Sequence, residues 1–166
     1  MSYEYSDNLL ALKNIDGLWG VLDINGNIVL GFAYEELGQA NEGLIPFMKY
    51  GTWGYIDYTG NIVIERQFES AYKFQDGLAI VKKDGKYGFI NTKGEIVVSN
   101  DYFNLEQFNE YGFAYAVAGD RFSSSTQKAY LIDKQGNTLL DISAYGRYLG
   151  GKFIKGEKLY RIANDD

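Results

Sequence analysis

At 166 residues the chain has room for one domain with a substantial core, and 46% hydrophobic against 23% charged residues argues against disorder despite a net charge of −6. It contains no cysteine and no histidine, which removes disulfides, thiol nucleophiles, histidine acid–base chemistry and every Cys/His zinc site. The opening Met1-Ser2-Tyr3-Glu4-Tyr5-Ser6-Asp7 has neither the basic start nor the apolar run of a secretory signal, and no stretch reaches the length of a membrane span. A soluble, cytoplasmic protein is the expectation.

Taken in chain order, the same pattern returns every 34 residues. Leu18-Trp19-Gly20-Val21-Leu22-Asp23 is followed by Thr52-Trp53-Gly54-Tyr55-Ile56-Asp57 and by Lys86-Tyr87-Gly88-Phe89-Ile90-Asn91. Gly26, Gly60 and Gly94 keep the same 34-residue spacing, and a degraded fourth copy, Ala129-Tyr130-Leu131-Ile132-Asp133, reaches its turn glycine at Gly136. The segment from Gly119 to Gln127 absorbs the extra length and reads as an enlarged surface loop. The tail, Phe153-Ile154-Lys155 then Lys158 to Ile162, reads as the first hairpin of a truncated fifth copy. Copies therefore fall at about 9–42, 43–76, 77–111 and 112–150, with a cap at 151–166, in one repeat domain over 1–166.

Within the third copy, runs rich in β-branched and aromatic residues are cut by Asp84-Gly85 and by Asn91-Thr92-Lys93-Gly94. This is the sequence form of successive hairpins, so each copy is expected to be a three-stranded antiparallel meander in an all-β array. The array is expected to be an open, curved solenoid-like stack or an incomplete propeller-like one. A connection of about a dozen residues follows each meander, carrying Tyr34, Phe68 and Tyr102 at one position and Phe74 and Phe108 at another, read as plugs between copies. Pairs such as Ile80-Val81 and Val63-Ile64 make the strands apolar on both faces, which only stacking of copies can cover. Pro46 is expected at a sheet edge or strand end, where no ladder N–H is needed, and the terminal copies as polar caps.

The pairs Trp19-Gly20, Trp53-Gly54 and Tyr87-Gly88, each followed by two apolar residues and Asx-x-x-Gly, together with Phe74-Gln75-Asp76-Gly77-Leu78-Ala79, resemble the WG-repeat family, also called KWG repeats, of bacterial proteins. The resemblance covers about residues 9 to 140 and departs from the pattern at Tyr87 and at Ala129-Tyr130. It implies a β-rich repeat domain of the kind suspected of mediating protein interactions, and it brings no catalytic residues.

Three chemistries compete with structural roles. Trp19, Trp53 and Tyr87 could stack on sugars or cage a quaternary ammonium, but their phase with the hydrophobic skeleton favours packing over the strand glycines. Asp23-Ile24-Asn25-Gly26-Asn27 looks like the opening of a calcium loop, yet its register mates share only the Asx and the glycine, which favours a turn. Paired carboxylates remain as acid–base groups, but none stands out from the repeat. No catalytic residue, metal or cofactor is assigned, and an enzyme is not expected.

Charge is uneven: residues 1–42 carry seven acidic and one basic side chain. A nucleic-acid backbone would be repelled there, and the basic tail residues Arg147, Lys152, Lys155, Lys158 and Arg161 read as a solvated cap. The expected function is a non-enzymatic protein–protein interaction module that binds neither nucleic acid nor membrane, its partner being another protein, possibly basic. Candidate contact residues are Glu35, Glu36 and Glu42 in the acidic copy and Arg121 and Phe122 in the enlarged loop. Two other readings stay open: an immunity or inhibitor protein that occludes a basic enzyme such as a nuclease toxin, and a carbohydrate or choline binder.

Overall fold

The computed structural model describes the backbone of residues 2–5, 9–143, 152–155 and 158–161, and side-chain surroundings within 9–143. Those residues contain strands and turns and no helix. The strands are β1 (Ser2–Tyr5), β2 (Leu9–Lys13), β3 (Trp19–Asp23), β4 (Ile28–Tyr34), β5 (Glu36–Leu37), β6 (Leu44–Lys49), β7 (Thr52–Asp57), β8 (Ile62–Phe68), β9 (Ser70–Ala71), β10 (Leu78–Lys83), β11 (Lys86–Asn91), β12 (Ile96–Leu105), β13 (Phe113–Ala118), β14 (Lys128–Asp133), β15 (Thr138–Asp141), β16 (Lys152–Lys155) and β17 (Lys158–Arg161). Strand order follows chain order in four open sheets: β1 to β4, β5 to β8, β9 to β15, and the antiparallel hairpin β16–β17 expected of a fifth copy. The chain groups into two compact units, Met1–Gly85 with Phe89–Ile96, and Lys86–Gly88 with Val97–Asp166.

Each meander forms as expected, and the connection after it is not plain loop. In the first unit the third strand runs on after a one-residue break, at Glu35 or Glu69, into a two-residue strand that pairs with the next copy. The β4–β5 and β8–β9 segments thus each end one sheet and begin another. The tight turns β6–β7 and β10–β11 place Tyr50-Gly51 (φ 55° and 72°) and Asp84-Gly85 (φ 52° and 78°) in the left-handed region, the pair of conformations that matches strand twist in a two-residue hairpin.

Two-sided strands bury both faces, as their sequence requires. On β6 and β7, Ile45, Phe47 and Ile56 join Ala11, Trp19, Val21, Leu30 and Leu37 in one core. Their neighbours Leu44 and Tyr55 join Ile64, Phe68, Phe74, Ala79, Val81 and Ile90 in another. Full burial of each such side chain is worth about 1.5–3 kcal/mol, so the interfaces between copies supply the stability that a lone meander lacks. The plug positions behave accordingly. Phe74 packs on Tyr55 with ring centroids 4.9 Å apart, and Tyr34 meets Phe47 edge-on at 5.6 Å. The Tyr55 hydroxyl donates to the Tyr72 carbonyl at 2.7 Å, and burial pushes its ionisation well above the usual phenol range. In the second unit Phe113, Val117, Ala129, Leu131 and Ile142 form a further core.

Two expectations are corrected. Pro46 lies inside β6, and β6 is an inner strand. The proline is tolerated because β5 is only two residues long and has ended beside it: the Pro46 carbonyl accepts from Gly38 N at 2.8 Å, and Gly38 leaves room for the ring. The first copy is not a polar cap either, since Leu10, Leu12 and Leu22 are only partly covered.

Candidate interaction surface

The turn after each second strand is built from its Asx side chain. Asp23 Oδ1 accepts from the amides of Asn25 and Asn27, both at 2.8 Å, and Oδ2 accepts from Asn27 Nδ2 at 2.7 Å. Asp57 repeats this with Thr59 and Asn61, and Asp133 with Gln135 and Asn137. Asn91 accepts from the amides of Lys93 and Glu95. Gly26, Gly60, Gly94 and Gly136 then take φ between 83° and 87°. The oxygens a calcium loop would offer are therefore occupied by the turn, and no cluster of acidic residues suited to a metal ion occurs among the described residues. Hydrogen bonds from Thr59 and Asn61 hold the Asp57 carboxyl down to about 2, and Asp23 and Asp133 lie below the usual range through their Asn27 and Asn137 bonds. The same glycines also serve packing: Gly60 lies against Leu30, Gly94 against Ile64 and Gly136 against Val98.

The glycines of the Trp-Gly pairs have a different cause. Register shifts between Trp19 and Val21, and between Trp53 and Tyr55, show that the third strand bulges opposite Gly20 and Gly54. A Cβ on Gly54 would sit 2.6 Å from the Ile64 carbonyl oxygen, and one on Gly88 2.5 Å from that of Val98. The bulge presses backbone onto backbone, which only glycine permits. The rings beside them face inward to different degrees: Trp19 is buried, whereas Trp53 and Tyr87 are half-buried. The geometry does not place the three as an open ladder of rings.

The three glutamates singled out by charge are all engaged within the chain. Glu35 accepts from the amides of Tyr50 (2.8 Å) and Gly51 (3.1 Å), tying the strand break to the β6–β7 turn. Glu69 does the same for Gly85 at 2.8 Å and pairs with Lys82 at 3.3 Å. Glu36 accepts from Trp19 Nε1 at 2.9 Å and pairs with Lys13 at 3.3 Å, while Lys13 also lies over the indole ring. Glu42 reaches the next connection and accepts from Gly77 N at 3.0 Å. Glu35 and Glu36 stand beside the β6–β7 turn and Glu42 at the opposite end of the strands, so they do not form one acidic patch.

Arg121 and Phe122 come together. The loop carrying them is closed on itself: Phe122 N donates to Asp120 Oδ1 (2.9 Å), Asp120 N to Thr126 Oγ1 (3.2 Å), and Gln127 Nε2 to the carbonyls of Asp120 (3.3 Å) and Arg121 (3.2 Å). Phe122 is 88% exposed, with the Arg121 guanidinium 5.4 Å from its ring centroid. A second exposed ring stands outside the sequence expectation: Tyr50, 75% exposed, has Lys49 at 5.6 Å and Arg66 at 5.1 Å from its centroid. The signal was available, since a bulky Tyr stands in a left-handed turn position that the next copy gives to Asp84.

Among solved structures, the chain resembles the WD40 beta propeller domain of Doa1 (14% identity, TM-score 0.48, 92% of this chain and 59% of that one). It also resembles the dihydro-heme d1 dehydrogenase NirN in complex with DHE (12%, 0.50, 92% and 41%) and HIRA (9%, 0.48, 86% and 52%). The chain spans roughly half the length of these structures, and the likeness is one of fold alone. No curated protein matches the sequence. The WG containing repeat matches three consecutive segments, residues 19–53, 53–87 and 87–121. Those segments span Gly20, Gly54 and Gly88 and the turns at Asp23, Asp57 and Asn91, and on that match the chain belongs to the WG-repeat family.

Proposed function

We propose that the protein is a non-enzymatic module for binding another protein, and that the Arg121–Phe122 loop is its contact point. The observation that carries this reading is the 88% exposure of Phe122 on a loop fastened by its own hydrogen bonds. An aromatic ring stiffened by an overlying guanidinium offers large contact area at low entropic cost, and arginine and aromatic residues dominate binding energy at interfaces. The loop also interrupts the repeat, so the stack of copies does not account for it. Asp23, Asp57 and Asp133 serve turns, and Glu35 and Glu69 the strand breaks.

The test is affinity capture with the immobilised chain at low salt, followed by the same capture with Phe122→Ala and Arg121→Ala. Both substitutions lie in an exposed loop and leave the cores untouched. A partner held by the wild type and released by either variant supports the reading. Equal capture by all three removes the loop from it, and no captured protein removes the module itself.

A further inference from the structure

Copies of one repeat show which side chains a position needs and which it does not. The two lysines before the β10–β11 turn are both engaged: Lys83 Nζ donates to Gln67 Oε1 at 3.1 Å, and Lys82 pairs with Glu69 at 3.3 Å. One period earlier, at the β6–β7 turn, Lys83 becomes Lys49, Gln67 becomes Ala33 and Lys82 becomes Met48. The acceptor of the lysine is gone. Two further exchanges bring a ring and a second cation, since Asp84 becomes Tyr50 and Asn100 becomes Arg66. Asn100 Nδ2 donates to the Lys86 carbonyl at 3.3 Å, and Arg66 takes over that tie through Nη1, to the Lys49 carbonyl at 2.6 Å and Thr52 Oγ1 at 3.2 Å. One guanidinium nitrogen is thereby anchored, and the remaining donors stay unspent.

Neither Lys49 nor Arg66 has a carboxylate partner among the described residues. Both lie instead by the exposed Tyr50 ring, a contact that leaves their N–H donors open. Glu35, the acidic group of this turn, spends one oxygen on the Tyr50 amide and the other on that of Gly51, and it pairs with neither cation. The fold does not ask for this cluster, because the third copy makes the same turn with Asp84 and Asn100. What it lacks is a negative group from outside. We infer that Lys49, Tyr50 and Arg66 form a binding site for an acidic segment of another protein, with a carboxylate between the two cations and an adjacent apolar side chain on the phenol ring. A nucleic acid fits less well. Its backbone calls for a track of cations, and the nearest charges in sequence, Glu35, Glu36 and Glu65, are acidic. Nothing in this site depends on the Arg121–Phe122 loop, and its partner carries the opposite charge to the one that the acidic first copy suggests.

Titration of the isotope-labelled full chain with the peptide acetyl-Glu-Glu-Leu-Glu-Glu-amide, followed by two-dimensional NMR, tests this. The Tyr50 and Gly51 amides and the Arg66 Nε–H shift and saturate. The peptide with glutamine in place of glutamate leaves them still, and added salt weakens the binding. Arg66→Asn installs the side chain that the third copy carries, and Tyr50→Asn keeps a residue that accepts the left-handed turn. Lys49→Gln with Arg66→Asn weakens binding by about tenfold, and Tyr50→Asn by about threefold. No saturable shift at these groups overturns the inference. So do equal shifts with the glutamine peptide, or an unchanged affinity in the double variant. Tighter binding of inorganic phosphate or of oligothymidylate overturns it as well, and gives the site to phosphate chemistry. The spectra themselves show whether each variant is folded. Should Arg66→Asn not fold, Lys49→Gln alone decides, since its ammonium holds no hydrogen bond among the described residues: unchanged affinity there overturns the inference.

Discussion

Trp19 Nε1 donates to Glu36 Oε2 at 2.9 Å, joining the aromatic of one copy to the short strand that opens the next sheet. The indole is buried in the core it shares with Ile45 and Phe47, while the carboxylate stays partly open to water. Removing the acceptor therefore takes the Glu36 bond from a buried donor, and the loss falls on the tryptophan. Glu36→Ala should lower the unfolding free energy by about 1–2 kcal/mol. Lys13→Ala, which removes the exposed member, should change it by less than about 1 kcal/mol. Urea titrations of the two variants check the ranking.

Glycine next to the aromatic is demanded by the bulged neighbour strand. Gly54→Ala should destabilise by about 1–3 kcal/mol, because its Cβ would meet backbone that cannot swing aside. Gly88→Ala should behave alike. Gly31→Ala is the control, since an added Cβ there meets nothing within 4 Å. Thermal unfolding of the three variants separates a packing constraint from a general intolerance of alanine.

Acid should weaken the fold through the Asx turns. The folded carboxyl of Asp57 titrates at about 2, below the usual carboxylate range, owing to the Thr59 hydroxyl and the Asn61 amides. A group depressed on folding adds stability that is present above its unfolded value and lost as pH falls through the folded one. Stability should thus decline from the ordinary carboxylate range down to about pH 2, with Asp23 and Asp133 contributing in the same direction. Carboxyl NMR titration should place Asp57 near 2, and Asp57→Asn should flatten the acid limb of the stability curve. An Asp57 midpoint in the ordinary range would contradict the turn geometry.

The two tryptophans should report different surroundings. Trp53→Phe leaves only buried Trp19, with blue-shifted emission and weak acrylamide quenching. Trp19→Phe leaves half-buried Trp53, which should be quenched more readily. Neither signal should respond to choline or simple glycans, because the rings are taken up by packing.

Much of this architecture can be read from the chain. The 34-residue period, the hairpins, the turn glycines and the two-faced strands follow from local pattern, since side-chain alternation and left-handed turn positions leave marks within a few residues. Relations between distant segments leave no such mark. Glu35 looks like surface charge in the sequence, and its role appears only when the Tyr50 and Gly51 amides arrive opposite it. The glycine of each Trp-Gly pair is visible, but its cause is a register shift in another strand. Pro46 reads as an edge residue in the sequence because the brevity of β5 cannot be deduced from residues with ordinary strand propensity. Phe122 stands out in the sequence because its loop breaks the period, and Tyr50 does not because its turn keeps to it.

The strand that breaks at Glu35 or Glu69 belongs to two sheets at once, and this separates the period of the sequence from the unit that can be moved. A deletion cut at the tryptophan would divide a meander, and one cut just after the third strand would leave the next sheet without its first hydrogen-bonded rung. An engineer who wishes to shorten or lengthen the array should splice from one kinked glutamate to the next, so that every transplanted block carries its own starting rung and the closing edge of its own sheet.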